Sequence, residues 1–400
     1  MTSDDTALRG ATPGGAVGGR LPLLDVLRGV AILGTLATNV WLFAGPGGDA
    51  AILYGSDELS PFTSFHADPS AATLAEGVFR TAANGTFLAL LTLLFGAGLA
   101  VQFRSAARRG ARWPGPYRWR ALFLFVEGTV HFTLVFAGDV LMGYAAVALL
   151  VAWLLTRSER ARNRVMWVSV SLHVALMGLV TAALVTDPAR TSTVPPEAVE
   201  LYAHGSYADQ VAFRLDHFLG LRLEPVLTFG LMVFMFLLGV RLLRAGAFAG
   251  DPVGRALRVR LLGWGLGLGV PLTVVTAVAG PDWLLMDRYV VAPLVAVGLI
   301  GLVGRLLDRT NGTGPVVTGV SALGRMAMTG YVAQNVLLMF VCYGFGLGLA
   351  ERMADTGRWW VLVLWAVVSL VLVVSSLLWL RAFHQGPLEA LQKKVLSRAR

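Results

Sequence analysis

Apolar runs of roughly 20 residues, the length a helix needs to cross the hydrocarbon core of a bilayer, recur along this chain. They fall at about 22–43, 84–103, 119–137, 139–156, 165–186, 226–243, 257–279, 287–306, 322–346 and 359–380. In lipid every backbone N–H and C=O must be satisfied without water, which leaves spanning segments little choice but the helix or the closed barrel. Runs this long and this apolar predict helices. The expected fold is all-α: a polytopic membrane helix bundle with about ten transmembrane helices. Charged residues make up 14% of the 400, against about a quarter in soluble domains.

The basic residues test that count. Cytoplasmic loops of membrane proteins carry an excess of Lys and Arg. With the N-terminus inside, the loops at 104–120, 157–164, 241–260 and 305–325 and the segment after 380 all face the cytoplasm. Together with Arg9, Arg20 and Arg28 they hold 26 of the 33 basic residues. Ten spans with both termini cytoplasmic keep the alternation unbroken. The formal net charge of +9 is thereby read as topology, and nucleic acid is not expected as a partner. Arginine far outnumbers lysine and Ala, Gly and Val abound. That bias resembles high-GC bacterial genomes and points to a bacterial cytoplasmic (inner) membrane. Cys342 is the single cysteine, which excludes an intrachain disulfide and a thiolate metal cluster; no metal is expected.

Residues 1–20 are polar and Gly-rich and read as a disordered cytoplasmic tail. The bundle is expected over 21–383, with long outer loops at 44–83 and 187–225, and 384–400 read as a basic cytoplasmic tail. Loops this long serve as lids or binding surfaces, or as re-entrant or interfacial segments packed over the bundle, and the second carries a short amphipathic pattern near 207–220. The GLGLG stretch at 265–269 lies inside a span, where small residues let helices approach closely.

The segment VEGTVHFTLVFAGD (126–139) places Glu127, His131 and Asp139 in an otherwise apolar run. Ionisable groups inside spans are expensive and tend to mark functional interiors. Glu127 and His131, four apart, share a helix face, so a carboxylate can orient the imidazole as a general base requires. Asp139 stands eight residues on, about 12 Å along a helix. It is therefore expected out of direct reach of His131 but lining the same cavity, and it also suits a helix N-cap. Tyr144, on the next helix, can line that cavity too. Asn39, Gln334, Asn335 and His173 are further polar residues in spans, each equally compatible with an interhelical hydrogen bond. At the inner face Arg104, Arg108, Arg118 and Arg120 form a cluster whose planar guanidinium groups suit phosphate oxygens. The positive-inside rule and anionic headgroups account for them as well.

Five stretches resemble one known family: RLPLLDVLRGVAILGTLATNV (20–40), LLTLLFGAGLAVQFR (90–104), VEGTVHFTLVFAGDVLMGYA (126–145), GRMAMTGYVAQNVL (324–337) and RAFHQGPLEAL (381–391). In this order they resemble the YeiB-like membrane proteins, domain of unknown function 418. That family is similar to the wider transmembrane acyltransferases, which include the acyltransferase-3 proteins and the lysosomal heparan glucosaminide acetyltransferase. The resemblance implies transfer of an acyl group from cytoplasmic acyl-CoA to a sugar or similar acceptor on the far side. In the acyltransferase-3 proteins a catalytic His lies near the end of the first helix. The roughly corresponding position here is Asn39, so His131 is expected to take that role. The Arg104/Arg108 pair resembles the basic cofactor-binding motif of those enzymes.

Three functions are compatible with these residues. The first is an acyltransferase with acetyl-CoA or another acyl-CoA as donor and a small-molecule or envelope-glycan acceptor. His131, Asp139, Glu127 and Asn39 would form its catalytic group, and Tyr144 and Gln334 would line the substrate. The second is a proton-coupled transporter or flippase that uses the acidic residues and His131 as a relay. The third is a non-catalytic membrane scaffold.

Overall fold

A computed structural model describes residues 21–56, 59–186 and 193–398; the N-terminal tail read over 1–20 lies outside the described residues. The all-helical fold expected from the sequence is borne out, with no strand among the described residues. The main helices are α1 (Pro22–Ala44), α2 (Ala71–Ala83), α3 (Thr86–Arg108), α4 (Tyr117–Leu134), α5 (Leu141–Leu154), α6 (Glu159–Val185) and α7 (Tyr207–Asp216). They continue as α8 (Phe229–Arg244), α9 (Pro252–Ala279), α10 (Ala292–Arg309), α11 (Pro315–Arg325), α12 (Ala327–Cys342), α13 (Trp359–Ala382) and α14 (Pro387–Arg398).

Among the described residues six helical stretches are long and apolar enough to cross a membrane: α1, Ala71–Arg108, α6, α9, Pro281–Arg309 and α13. The shorter or more charged α4, α5, α8 and α12 pack among them, α4 on α5, α8 on α3 and α6, α12 on α1 and α13. The surface pattern is that of a bilayer-embedded bundle. On α13 the buried residues Trp360, Leu364, Val368, Leu372 and Ser376 recur every four positions, while Val363, Val367, Leu370 and Val374 are exposed and just as apolar. An amphipathic helix in water shows the opposite exposed face.

Local signals set the helix starts. Ser70 and Thr73 form a capping box at α2, and Ser206 and Asp209 form one at α7. Asp251 accepts from Gly254 N at 2.7 Å, with Pro252 in the first turn of α9. The two stretches read as outer loops are largely helical. Beyond α2 and α7 they hold Ala50–Tyr54, Thr63–Ala67, Pro196–Ala203, Phe218–Leu221 and Leu223–Leu227.

The single span expected over 322–346 is broken, and this corrects the sequence reading. α11 runs antiparallel to α1, with Gly324 against Asp25 and Gly29 against Val320. The chain then turns at Met326, and α12 runs parallel to α1, Gln334 meeting Thr35 and Asn335 meeting Asn39. The close α1–α11 approach needs glycine: a Cβ at Gly324 would lie 1.7 Å from the Asp25 carbonyl oxygen. The break exposes the first N–H groups of α12, which have no partner within their own helix. Glu389 of α14 satisfies them. Its Oε1 accepts from Met328 N at 2.9 Å and Thr329 N at 3.3 Å, and its Oε2 from the Thr329 hydroxyl at 2.6 Å.

Candidate functional site

α4 closes on itself at His131. The carbonyl of His131 accepts from both Val135 N and Phe136 N, at 2.8 and 2.9 Å, and the helix ends. The chain turns through Ala137 and Gly138 and comes back at the start of α5. Asp139 is thereby brought beside the helix it has just left, and its Oδ1 lies 3.0 Å from His131 Nδ1. Both side chains are out of solvent. The expectation that Asp139 is out of reach of His131 is overturned, because the distance along a straight helix does not apply across this turn. Asp139 also meets the capping expectation in part: its Oδ2 accepts from Leu141 N at 3.0 Å and, more weakly, from Met142 N at 3.4 Å.

The other face of the imidazole meets α12. Asn335 Nδ2 lies 3.3 Å from His131 Nε2, and Asn39 Nδ2 donates to Asn335 Oδ1 at 3.0 Å. These contacts fix a direction. Asn39 donates to Asn335, Asn335 donates to Nε2, and Nδ1–H donates to Asp139. His131 is thus held as the Nδ1–H tautomer with its Nε2 lone pair turned toward α12. The Tyr331 ring packs beside the imidazole at 5.3 Å between centroids.

Glu127 does not join this chain. Both ring nitrogens of His131 are already engaged, and the two Glu127 carboxylate oxygens are buried with no hydrogen-bond partner among the described residues. A residue the sequence did not single out does join. Arg222 donates from Nη1 to the Asp139 carbonyl at 2.8 Å and from Nη2 to the Ala137 carbonyl at 3.2 Å. Its guanidinium covers the Phe132 ring at 3.8 Å, so one arginine pins the turn that delivers Asp139. Burial pushes this guanidinium below the usual arginine range, partly offset by the Asp139 carboxylate. The available signal was its rarity: Arg222 is one of only seven basic residues outside the inner clusters.

A cavity of about 330 Å³ lies next to the chain. Its wall includes Asn39, Thr35, Thr38 and Tyr331 but not His131, which stands one layer behind. Tyr144 lines a separate, smaller cavity of about 40 Å³ together with Asp139, and its hydroxyl pairs with that of Thr92. Gln334 is fully buried and donates to the Thr35 hydroxyl at 3.3 Å, so it supports the large cavity's wall from behind. His173 lies apart, with Nε2 at 3.1 Å from the Tyr289 carbonyl.

The inner arginines form no part of this constellation. Arg104, Arg108 and Arg118 are exposed and Arg120 is half-buried. Arg104 and Arg162 come close enough to Arg244 to repel its charge, and none of these three makes an ion pair within 4 Å among the described residues. α3 alone, with 23 residues, separates this end from the cavity by about 30 Å.

Comparison with known proteins agrees with the sequence resemblance. Residues 242–399 match the family model described as "Protein of unknown function (DUF418)". The chain is 28% identical to "Uncharacterized protein YxaH" of Bacillus subtilis over 92% of each chain. It is also 28% identical to "Uncharacterized protein YeiB" of Escherichia coli, over 94% of this chain and 96% of that one.

Proposed function

We propose that this chain, a multi-helix membrane protein related to YeiB and YxaH, is an acyltransferase that moves an acyl group from cytoplasmic acyl-CoA to an acceptor on the outer face. The observation that carries the reading is the buried Asp139–His131 pair, held in one tautomer directly behind the wall of a cavity. An imidazole so oriented can take a proton at Nε2, while the adjacent carboxylate stabilises the imidazolium that results.

In this reading the acceptor hydroxyl or amine displaces Asn335 from Nε2 and gives up its proton there. Its oxygen or nitrogen attacks the thioester carbonyl. The new C–O or C–N bond forms, the C–S bond breaks, and the departing thiolate recovers the proton from His131. The amide N–H groups of Asn39 and Asn335 are the nearest donors for the developing oxyanion. The donor's phosphates would rest against Arg104, Arg108, Arg118 and Arg120, where unpaired guanidinium groups favour an anion. From Arg118 to His131 is about 20 Å along α4, the distance over which the acyl arm would rise. The same reading puts the arginine-rich loops and both termini on the cytoplasmic side of a bacterial inner membrane.

The test is acyl transfer by purified protein in nanodiscs, with radiolabelled acetyl-CoA and longer acyl-CoAs. Transfer abolished by His131→Ala supports the reading, and transfer unchanged in that variant overturns it. A second reading, a proton-coupled carrier, is favoured by Glu127, whose carboxylate is buried in the bundle without a hydrogen-bond partner. Proton uptake that depends on substrate and disappears in Glu127→Gln, with no acyl transfer detected, would replace the first reading with the second.

A further inference from the structure

The large cavity is polar on one side and apolar on the other. Its polar wall carries Asn39 and Asn84 with two guanidinium groups, Arg80 and Arg288, and two carboxylates, Glu224 and Asp282. Glu76 neutralises Arg80 and Asp282 is exposed, so Arg288 and Glu224 are the shielded opposite charges left facing the space. Arg288 donates to Asn84 Oδ1 at 3.2 Å and lies 3.8 Å from Glu224, and Arg80 is paired with Glu76 at 3.1 Å. Trp41 also lines the cavity, and its indole N–H is buried with no acceptor among the described residues. Buried donors of this kind ordinarily have a partner, and an acidic oxygen of a ligand would supply one.

The apolar wall includes Leu184, Leu227, Leu284 and Leu285. The segment that forms part of it, 218–227, is apolar on its outer side as well. Leu219 is 83% exposed, Leu223 55% and Val226 69%, while Gly220, Leu223 and Leu227 line the cavity. Patches this apolar are not left to water. In a bundle of membrane helices the bilayer covers them, so the leucine-lined side of the cavity borders lipid.

We propose that this cavity binds a membrane amphiphile with a zwitterionic headgroup, a phosphate-plus-ammonium lipid. The headgroup phosphate would lie toward Arg288 and the Trp41 N–H, the ammonium toward Glu224, and the acyl chains would leave past Leu223, Leu227 and Leu285 into the bilayer. A headgroup of net charge would leave Arg288 or Glu224 unmatched in a partly desolvated site, which is unfavourable. The site stands whether or not His131 transfers acyl groups. If both readings hold, the bound lipid is the acceptor.

The test is native mass spectrometry of the full chain released from nanodiscs that contain equal parts of phosphatidylethanolamine and phosphatidylglycerol. The same experiment is run on Glu224→Gln, Arg288→Gln and Leu227→Trp. Competition with water-soluble glycerophosphoethanolamine completes it. No turnover is involved, so failure here is distinct from failure of the acyl-transfer reading. Retention of the ethanolamine lipid at least about tenfold over the glycerol lipid, a difference of about 1.4 kcal/mol, is expected in the wild type. Loss of that preference is expected in the two charge variants, and loss of retained lipid in Leu227→Trp. Equal retention of both lipids, preference for the anionic lipid, or binding of the free headgroup as tightly as the lipid would each overturn the proposal. Thermal unfolding shows which variants are folded. If Leu227→Trp does not fold it is replaced by Leu285→Trp, which narrows the same apolar exit; if one charge variant does not fold, the other carries that arm of the test.

Discussion

Arg214 and Asp49, 165 residues apart in sequence, form a 2.6 Å ion pair from which solvent is wholly excluded. The Tyr343 and Tyr202 hydroxyls donate to the same carboxylate at 3.2 and 3.4 Å, and Arg214 Nη1 donates to the Thr133 carbonyl at 3.2 Å. Burial alone would push the guanidinium down, yet the adjacent carboxylate lifts it above its usual range, so Arg214 keeps its charge. It ties α7 to the bundle beneath. Asp49→Ala leaves a buried charge unpaired and is expected to remove about 3–5 kcal/mol of stability. Replacing both partners with apolar residues is expected to cost far less. Thermal unfolding in detergent of both single variants and the double variant measures this.

The tautomer of His131 depends on Asp139 accepting from Nδ1–H. Asp139→Asn keeps the shape but offers an amide that can donate, which favours the wrong tautomer. If His131 is the base, acyl transfer is expected to fall by about 10²–10⁴ in His131→Ala, and by a similar order in Asp139→Asn, with acyl-CoA binding retained in both. Initial rates set beside equilibrium binding of acyl-CoA separate the two effects.

Asn335 serves two partners at once. Asn335→Leu leaves His131 Nε2 and the Asn39 amide without their partners in a buried setting, at about 1–3 kcal/mol for each unsatisfied group. Asn335→Asp is the sharper variant. A carboxylate cannot donate to Nε2 but can accept from it, so the contact that sets the tautomer is lost and an N–H at Nε2 is favoured in its place. The ¹⁵N chemical shifts of labelled histidine would show the change.

The crossing of α1 and α11 rests on the absence of a side chain at Gly324. Gly324→Ala sets a methyl group into the Asp25 carbonyl and is expected to cost about 1–3 kcal/mol through separation of the two helices. Gly178→Ala on α6 is the comparison, because that glycine is also helical and nothing lies within 4 Å of a Cβ there. The difference between the two melting temperatures isolates the packing contribution.

Much of the architecture was legible because hydrophobic runs and arginine clusters are local signals. His131 and Asp139 stood out for the same reason, as ionisable groups in an apolar stretch. Their contact did not, because its geometry comes from a six-residue turn and not from a helical repeat. Asn335 was noticed only as a polar residue in a span. Its partners are 204 and 296 residues away, and no spacing rule reaches that far. The break at Met326 was hidden by apolar residues on both sides of it. The amphipathic pattern near 207–220 announced α7; the other helices within 44–83 and 187–225 offered at most a capping residue such as Ser70, which marks a start but not a length.

The carboxylate of Glu389 gives this membrane protein an order of assembly. α12 carries Tyr331 and Asn335, and it leaves the ribosome some 50 residues ahead of the side chain that seals its first turn. Until residue 389 has been made, the amides of Met328 and Thr329 lack the partner they have in the finished fold. The histidine site therefore becomes complete only after nearly the whole described chain has been synthesised. A nascent chain arrested before that point lacks the carboxylate that anchors the first turn of α12, the helix that presents Asn335 to His131.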